Sequence, residues 1–309
     1  MLTIPTRGIS TSDEQHNVKL DVFSDWIEGT VLFDETELST VDIVDTLCEE
    51  LIYNNQDFAS EIVEDAWSEL KRRQSCMGVH SAFSITSSRI ERVCDWRDAT
   101  GHSFCVLLAL AKWYRGWAKQ FGSDYNEQGE LFEKLTKESL ERQFSGWYVY
   151  QTGWSRLHSK KLGEVIDKIT DILGELKGSP EIWAEPKANE AGLDLLCYRP
   201  FIDNRVGIPV YLIQCASGGN WKDKLKTPDI TDWRRYIQFA ARPGKAFSMP
   251  FALLDDDFVR YCGKVDGMFL DRCRLLASTG GDDDNWISSE LKEHIVAWML
   301  PRVSNLPRD

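Results

Sequence analysis

The chain has 309 residues, 42% of them hydrophobic and 28% charged, and a formal net charge of −13. That balance fits a soluble globular protein with room for two domains, or for one large α/β domain with an accessory part. Its longest apolar run, Phe104 to Ala111, is too short to cross a bilayer, and the acidic total argues against a generally basic nucleic-acid-binding surface.

The charge is unevenly spread. Residues 1–125 carry 21 acidic against 11 basic side chains, and residues 126–309 carry 28 against 25, so a local basic groove can exist in the second half. The eight cysteines (Cys48, Cys76, Cys94, Cys105, Cys197, Cys215, Cys262, Cys273) form no CxxC pair, and no basic-then-apolar leader opens the chain, so reduced thiols in a cytoplasmic protein are expected. The five histidines form no HExxH or HxH pair, and neither a GxSxG elbow nor a GxxxxGK[ST] phosphate loop occurs.

Taken in order, residues 1 to about 35 start with a polar, turn-rich segment, TRGISTSDEQHN, that shows little periodicity, and this beginning is expected to be loosely ordered. From Ser39, apolar residues at Val41, Ile43, Val44, Leu47 and Leu51 predict an amphipathic helix with Ser39 or Thr40 as N-cap. A second helix runs through FASEIVEDAWSELKRR. Its basic end, Lys71, Arg72 and Arg73, suits either phosphate contact or a solvated helix terminus. SAFSITSSRIERV has strand composition interrupted by a Ser pair. HSFCVLLALAKWYRGWAKQFG predicts a buried helix whose Trp113, Tyr114 and Trp117, interleaved with Lys112, Arg115 and Lys119, serve either base stacking or core packing. SDYNEQG, residues 123–129, breaks the pattern and marks a linker. Residues 1–125 are therefore expected to be an acidic, mainly helical region with a sensor, partner or DNA-contact role, and residues 126–309 an α/β domain.

The second part opens on the predicted helix ELFEKLTKESLERQF, followed by a strand in GWYVYQTG and a helix in LGEVIDKITDILGEL. GSPEIWAEPKANEAG is loop-like and contains Glu185 and Glu190, the latter four residues before Asp194. GLDLLCYRPF and GIPVYLIQCA then read as two strands joined through DNRVG, a β-hairpin that can bring Asp194 and Gln214 together at one sheet end. An aspartate in an apolar strand needs a partner, which a metal, a lysine or a plain salt bridge can supply. A carboxylate beside oxygen ligands suits a hard cation such as Mg²⁺, and with it a phosphodiester-cleaving site. PDITDWRRYIQFAA predicts a helix from Pro228. Trp221, Lys222, Lys224, Arg234 and Arg235 can form a backbone-tracking groove there, or the helix simply covers the sheet. KAFSMPFALL and GMFLDRCRLLAS read as strands around a short helix. NWISSELKEHIVAWML predicts a terminal helix, and the tail PRVSNLPRD is expected to be mobile.

The order of a G-x-x-F-E helix (Gly129 to Glu133), a G-x-D strand (Gly192 to Asp194) and a Q-C-x strand (Gln214 to Ala216) resembles the PD-(D/E)XK nuclease superfamily, above all its Mrr-like restriction endonuclease branch. The resemblance spans roughly residues 126–260. It implies a restriction-endonuclease-like mixed central sheet flanked by helices. It also implies a Mg²⁺-dependent, or Mn²⁺-dependent, hydrolysis of DNA phosphodiester bonds in a bacterial restriction or phage-defence setting, with RNA left open as substrate and a protein partner or homo-oligomer possible. Asp194 matches the metal-binding aspartate and Gln214 the residue that often replaces the acid of the third motif. Glu133 matches the helical glutamate better than Glu164 does, and the Cys215 carbonyl falls where a backbone ligand is expected. The family's lysine, two residues after the glutamine, is here Ala216. Lys224, or else Lys222, is then the expected substitute, and the alternative is a catalytically inactive module that binds nucleic acid or a partner protein.

Overall fold

Helices in the first third of the chain are fixed by capping and burial as much as by periodicity. The computed structural model describes residues 1–5, 9, 18–121, 125–152, 162–183, 191–277 and 286–308. The chain divides into two compact units: residues 1–123, 250–254 and 271–309 form the first, and residues 124–249 with 255–270 form the second. The expected boundary near 125 is close to the first crossing. The expectation of one domain over 126–309 is corrected, because residues 250–254 and 271–309 group with the first unit.

The first unit begins with helix α1 (Leu20–Phe33), in which every residue from Val22 to Phe33 is buried. The sequence singled out no helix here, because one enclosed on all sides shows no amphipathic stripe; the segment TRGISTSDEQHN, expected to be loosely ordered, lies, apart from residue 9, outside the described residues. Strand β1 (Glu37–Ser39) leads into α2 (Thr40–Glu49), which starts with a capping box between Ser39 and Asp42. α3 (Gln56–Met77) is capped by Asn55. β2 (Phe83–Ile85) and β3 (Arg89–Arg92) form a hairpin with the Ser87–Ser88 pair in its turn, completing a three-stranded antiparallel sheet of order β1-β3-β2. α4 (Thr100–Ala111) is buried throughout and lies so close to α1 that a Cβ on Gly29 would stand 2.5 Å from Leu110. A short α5 (Trp117–Phe121) follows. Tyr114 is buried and donates to the Thr3 carbonyl, while the Lys112 ammonium sits 3.5 Å from the centre of the Phe251 ring. These side chains pack the first unit.

The basic run Lys71–Arg73 lies inside α3 rather than at its end; Lys71 is exposed, whereas Arg73 serves neither phosphate contact nor a solvated helix terminus. Arg73 is 0% exposed and its guanidinium binds Asp25 (2.9 Å), Glu28 (3.1 Å) and Glu69 (2.7 Å). Arg272, also fully buried, reaches Asp25 (2.6 Å) and Glu28 (3.4 Å). Arg72 closes the cluster on Glu69 at 2.8 Å. Burial alone would raise the Glu28 carboxyl, but the Arg272 and Arg73 guanidiniums outweigh it and hold the group well below the usual carboxylate range. His102 accepts from the Ala82 amide through Nδ1 and faces Glu28 through Nε2 at 3.5 Å; its burial pushes the imidazole pKa down.

The second unit opens with α6 (Tyr125–Gln143), followed by β4 (Tyr148–Gln151), α7 (Leu162–Leu173), β5 (Leu176–Lys177) and the short α8 (Pro180–Trp183). β6 (Leu195–Tyr198) and β7 (Val210–Cys215) make the expected hairpin; α9 (Ile230–Tyr236), β8 (Ile237–Gln238), β9 (Gly244–Ser248), α10 (Asp255–Val265) and β10 (Met268–Leu270) complete the unit. The five-stranded sheet has the order β10-β9-β7-β6-β4. Its pairs are parallel from β10 to β7 and antiparallel from β7 to β4, which makes a mixed sheet. One face is covered by α7 and α9, whose Ile166, Ile169 and Trp233 pack on Leu196, Val210 and Leu212. Fully burying side chains of this size contributes about 1.5–3 kcal/mol each.

The chain then returns to the first unit through α11 (Arg272–Leu275) and α12 (Ser289–Ser304). GMFLDRCRLLAS thus yields one short strand and a helix. The tail expected to be mobile is ordered instead: α12 continues through Pro301, Leu2 bridges Arg308, and Arg308 pairs with Asp34 at 2.7 Å. Among the described residues no helix is long and apolar enough to cross a membrane.

Candidate active site

Register decides what meets at the end of the second unit's sheet. Leu195 pairs with Ile213, and the Asp194 amide donates to the Ile213 carbonyl at 2.9 Å, so Asp194 stands opposite Gln214 on the next rung. The Gln214 Nε2 group donates to Asp194 Oδ2 and, at 3.0 Å, to the Cys215 carbonyl. The Cys215 amide also donates to Asp194 Oδ2, at 2.6 Å. Both side chains are buried, and the carboxylate draws its donors from two successive residues of β7.

Residues to which the sequence reading gave no role hold this pair in place. Thr152, just past β4, donates from its amide to the Asp194 carbonyl at 3.0 Å and from Oγ1 to the Leu193 carbonyl at 2.8 Å. Thr227 donates to Gln214 Oε1 at 2.9 Å and so sets which way the amide faces. Gly192 has φ +71, and a Cβ there would lie 2.6 Å from Thr227 and 3.2 Å from Gln214 Oε1; the glycine of the G-x-D segment is required by conformation and by space. A polar hydroxyl next to a strand end is too common a pattern to single out Thr152 or Thr227 from sequence.

Asp194, but not Gln214, lines a cleft of about 510 Å³ whose wall also includes Glu133, Cys215, Ser217, Gly218 and Lys224. Glu133 comes from α6 and accepts a bond from Gln151 at 2.9 Å. Glu164, on α7, is exposed and is not part of that lining. Gln128 pins the loop after β7 by donating to the Ser217 carbonyl at 3.0 Å. Burial pushes the Cys215 thiol well above its ordinary range, with Asp194 and Glu133 adding to the effect, so Cys215 offers its carbonyl oxygen rather than a thiolate. Glu185 and Glu190 lie outside the described residues.

Of the expected nucleic-acid groove, only Lys224 lines the cleft. Trp221 is 6% exposed, its ring packed against Tyr261, Phe247 and Phe269, so its faces are already covered. That corrects its expected stacking role; an indole beside two lysines is equally a core residue with a basic edge. Lys222 lies over the Trp221 and Tyr261 rings, at 5.5 and 5.1 Å from their centres. On α9, Arg235 pairs with Asp232 at 3.0 Å and covers the Trp183 ring, and Arg234 is exposed. Neither arginine lines the cleft. A second, open concavity of about 520 Å³ instead collects Lys226, Arg242, Lys245 and Lys264, with Asp229 and Asp266 also in its wall. It begins two residues beyond Lys224.

Among the described residues no group of three or more histidine, cysteine or acidic side chains is gathered to hold a metal ion. The donors around Asp194 do fit one kind of ion. They are the Asp194 and Glu133 carboxylates and the Cys215 carbonyl, all hard oxygen donors, and Mg²⁺ binds through one or two carboxylates while keeping several waters. The Gln214 amide N–H₂ fills the role of positive partner between Asp194 Oδ2 and the Cys215 carbonyl. No protein-family profile, curated protein or solved structure matches the chain.

Proposed function

We propose that the second unit is a restriction-endonuclease-like, Mg²⁺-dependent nuclease module that hydrolyses DNA phosphodiester bonds, in the setting of restriction or phage defence. The observation that carries this reading is the opposition of Asp194 and Gln214 across β6 and β7 beside the Cys215 carbonyl, with Glu133 and Lys224 lining the same cleft. Asp194, Glu133 and the Cys215 carbonyl would hold the ion, and Gln214 would orient the attacking water. A bound divalent ion supplies an acidified water and neutralises charge building on the phosphoryl oxygens. Thr227 holds the Gln214 amide with its N–H₂ toward Asp194, and Lys224 offsets negative charge on the phosphate from the cleft wall. The loop after β7, pinned by Gln128, borders the path by which a phosphate enters.

The full chain is expected to cut linear and supercoiled DNA with Mg²⁺ or Mn²⁺ and to stop when EDTA withdraws the ion. One observation favours a second reading: Ala216, 1% exposed, stands where the resemblance calls for lysine. The unit would then bind nucleic acid or a partner protein without cutting it, and tight DNA binding with no cleavage under either metal would decide for that reading.

In both readings the basic concavity carries the flanking phosphates in place of Trp221 and Arg234. Charge reversal at Lys226 and Arg242 together is expected to weaken DNA binding for all sequences alike and to make the dependence of log affinity on log salt shallower by about 2. Unchanged affinity and slope in a filter-binding titration would remove this surface from the substrate path.

A further inference from the structure

One row of α6 lines the cleft of the second unit. Tyr125, Gly129 and Glu133 stand four residues apart, so they share one stripe of the helix, and the row runs about 12 Å along its axis. The two ends of the row differ in chemistry. Glu133 lies with Asp194 in the cleft wall, whereas Tyr125 is 58% exposed and is the one aromatic among the described residues of that wall.

Nothing inside the protein calls for glycine between them. Gly129 sits within a 19-residue helix, where alanine is intrinsically more favourable. Its φ is outside the left-handed region, and a Cβ added to it meets no atom within 4 Å. Gly29 and Gly192 are different cases, since a Cβ there would stand 2.5 Å from Leu110 and 2.6 Å from Thr227. Gly263 in α10 is as open as Gly129, but it is exposed and lies outside the cleft wall. What Gly129 leaves is a stretch of bare helix backbone facing the cleft, one turn from Tyr125 and one turn from Glu133. A glycine of this kind admits the close approach of another chain, and an exposed aromatic ring offers a face to one base.

Building on the nuclease reading of this cleft, we propose that the row binds a nucleotide drawn out of its stack. The base lies on Tyr125, the sugar and phosphate cross the bare backbone at Gly129, and the adjoining phosphate reaches Glu133 and Asp194. Bases inside a continuous duplex are already covered by their neighbours, and extruding one has an energetic cost that an unpaired base does not carry. The substrate class is therefore single-stranded DNA, or a stretch of DNA whose bases are unpaired, in preference to uninterrupted duplex.

The test measures binding of a fluorescent single-stranded oligonucleotide to the full chain by anisotropy, with Ca²⁺ or EDTA present, beside cleavage with Mg²⁺ and the thermal midpoint. The parent is expected to bind the single strand about tenfold more tightly than the blunt duplex of the same sequence. Tyr125→Ala should lose about tenfold, the scale of one base–aromatic stack, and Tyr125→Trp should keep the affinity. Gly129→Ala should raise the midpoint by about 2–4 °C while weakening single-strand binding, and Gly129→Leu should weaken it further. Gly263→Ala is the control, with a similar rise in midpoint and unchanged binding. If the parent cuts duplex as well as single strands and the Tyr125 and Gly129 variants match it, the proposal falls while the nuclease reading stands. A midpoint lowered in Gly129→Ala would show a packing role and also overturn it. Single-strand binding that depends on both residues, with no cleavage under Mg²⁺ or Mn²⁺, would support the contact and remove the nuclease reading, and a parent that binds neither oligonucleotide would overturn both.

Discussion

Asp194→Asn is expected to lower metal-dependent DNA cleavage by about 10³-fold, the scale on which removal of one preorganised charge-stabilising group is felt. Asparagine keeps the shape of the side chain and an oxygen able to accept from the Cys215 amide and Gln214, so the β6–β7 end stays assembled. What it removes is the negative charge, and of the acids in the cleft lining only Glu133 remains. The loss should therefore appear in the reaction and in Mg²⁺ affinity, while DNA binding and the thermal midpoint hold near the parent's. Steady-state cleavage at several Mg²⁺ concentrations separates the two effects, and an Asp194→Asn protein within about twofold of the parent would dismiss the assigned site. Glu133→Gln is the informative companion. It keeps an acceptor for Gln151 while removing the second carboxylate, and a smaller loss there ranks the two acids.

Arg73→Met carries the largest expected effect on stability, about 3–5 kcal/mol, because it takes one buried guanidinium from three buried carboxylates and leaves Asp25 and Glu28 to share Arg272, and Glu69 with Arg72 alone. Asp25, Glu28 and Glu69 all pair with this one guanidinium, and methionine fills much of its volume without its charge. The matching control is Arg89→Met in the exposed pair with Glu37, expected to change stability by less than about 1 kcal/mol. Urea midpoints measure both, and equal small shifts would mean that the cluster is not what holds the first unit. The same cluster sets how that unit responds to acid. Glu28 and Glu69 have depressed carboxyl pKa values and His102 a depressed imidazole, so the unfolded chain takes up these protons first. Their contribution is complete above the unfolded values and is lost as pH falls, through His102 from about 6.5 downward and through the glutamates below about 4.5. Asp21 and Asp271, raised by burial, work the other way: they favour the folded chain in acid and lose that contribution as pH rises through their folded values. Arg73→Met should flatten the acid limb, since Arg73 is one of the charges holding Glu28 down.

What could be read from sequence was what local pattern encodes. The two short apolar runs around DNRVG demanded a hairpin, and a hairpin places Asp194 opposite Gln214. Ser39 announced a helix start because a cap is written within four residues. Helix α1 escaped because its Ser24, Asp25, Glu28 and Thr30 look like surface residues until the elements that enclose them are known. Arg73 escaped for the same reason, its partners lying on α1 as well as on its own helix. Trp221 and the α9 arginines show a different limit: aromatic and basic neighbours describe a stacking platform and a packed edge equally well, and only burial separates them. The basic concavity was hidden because Lys226, the Arg242–Lys245 segment and Lys264 come from three separate places in the chain.

The return of residues 271–309 to the first unit sets an order of events on the ribosome. When residue 125 has emerged, the opening segment still lacks Arg272, α11 and α12, so its buried acids have only part of their counter-charge. The inserted segment can complete its sheet as soon as β10 is made, whereas the unit begun first closes last. Until then the nascent chain exposes an unfinished apolar surface on α1 and α4, the period in which a chaperone has most to act on.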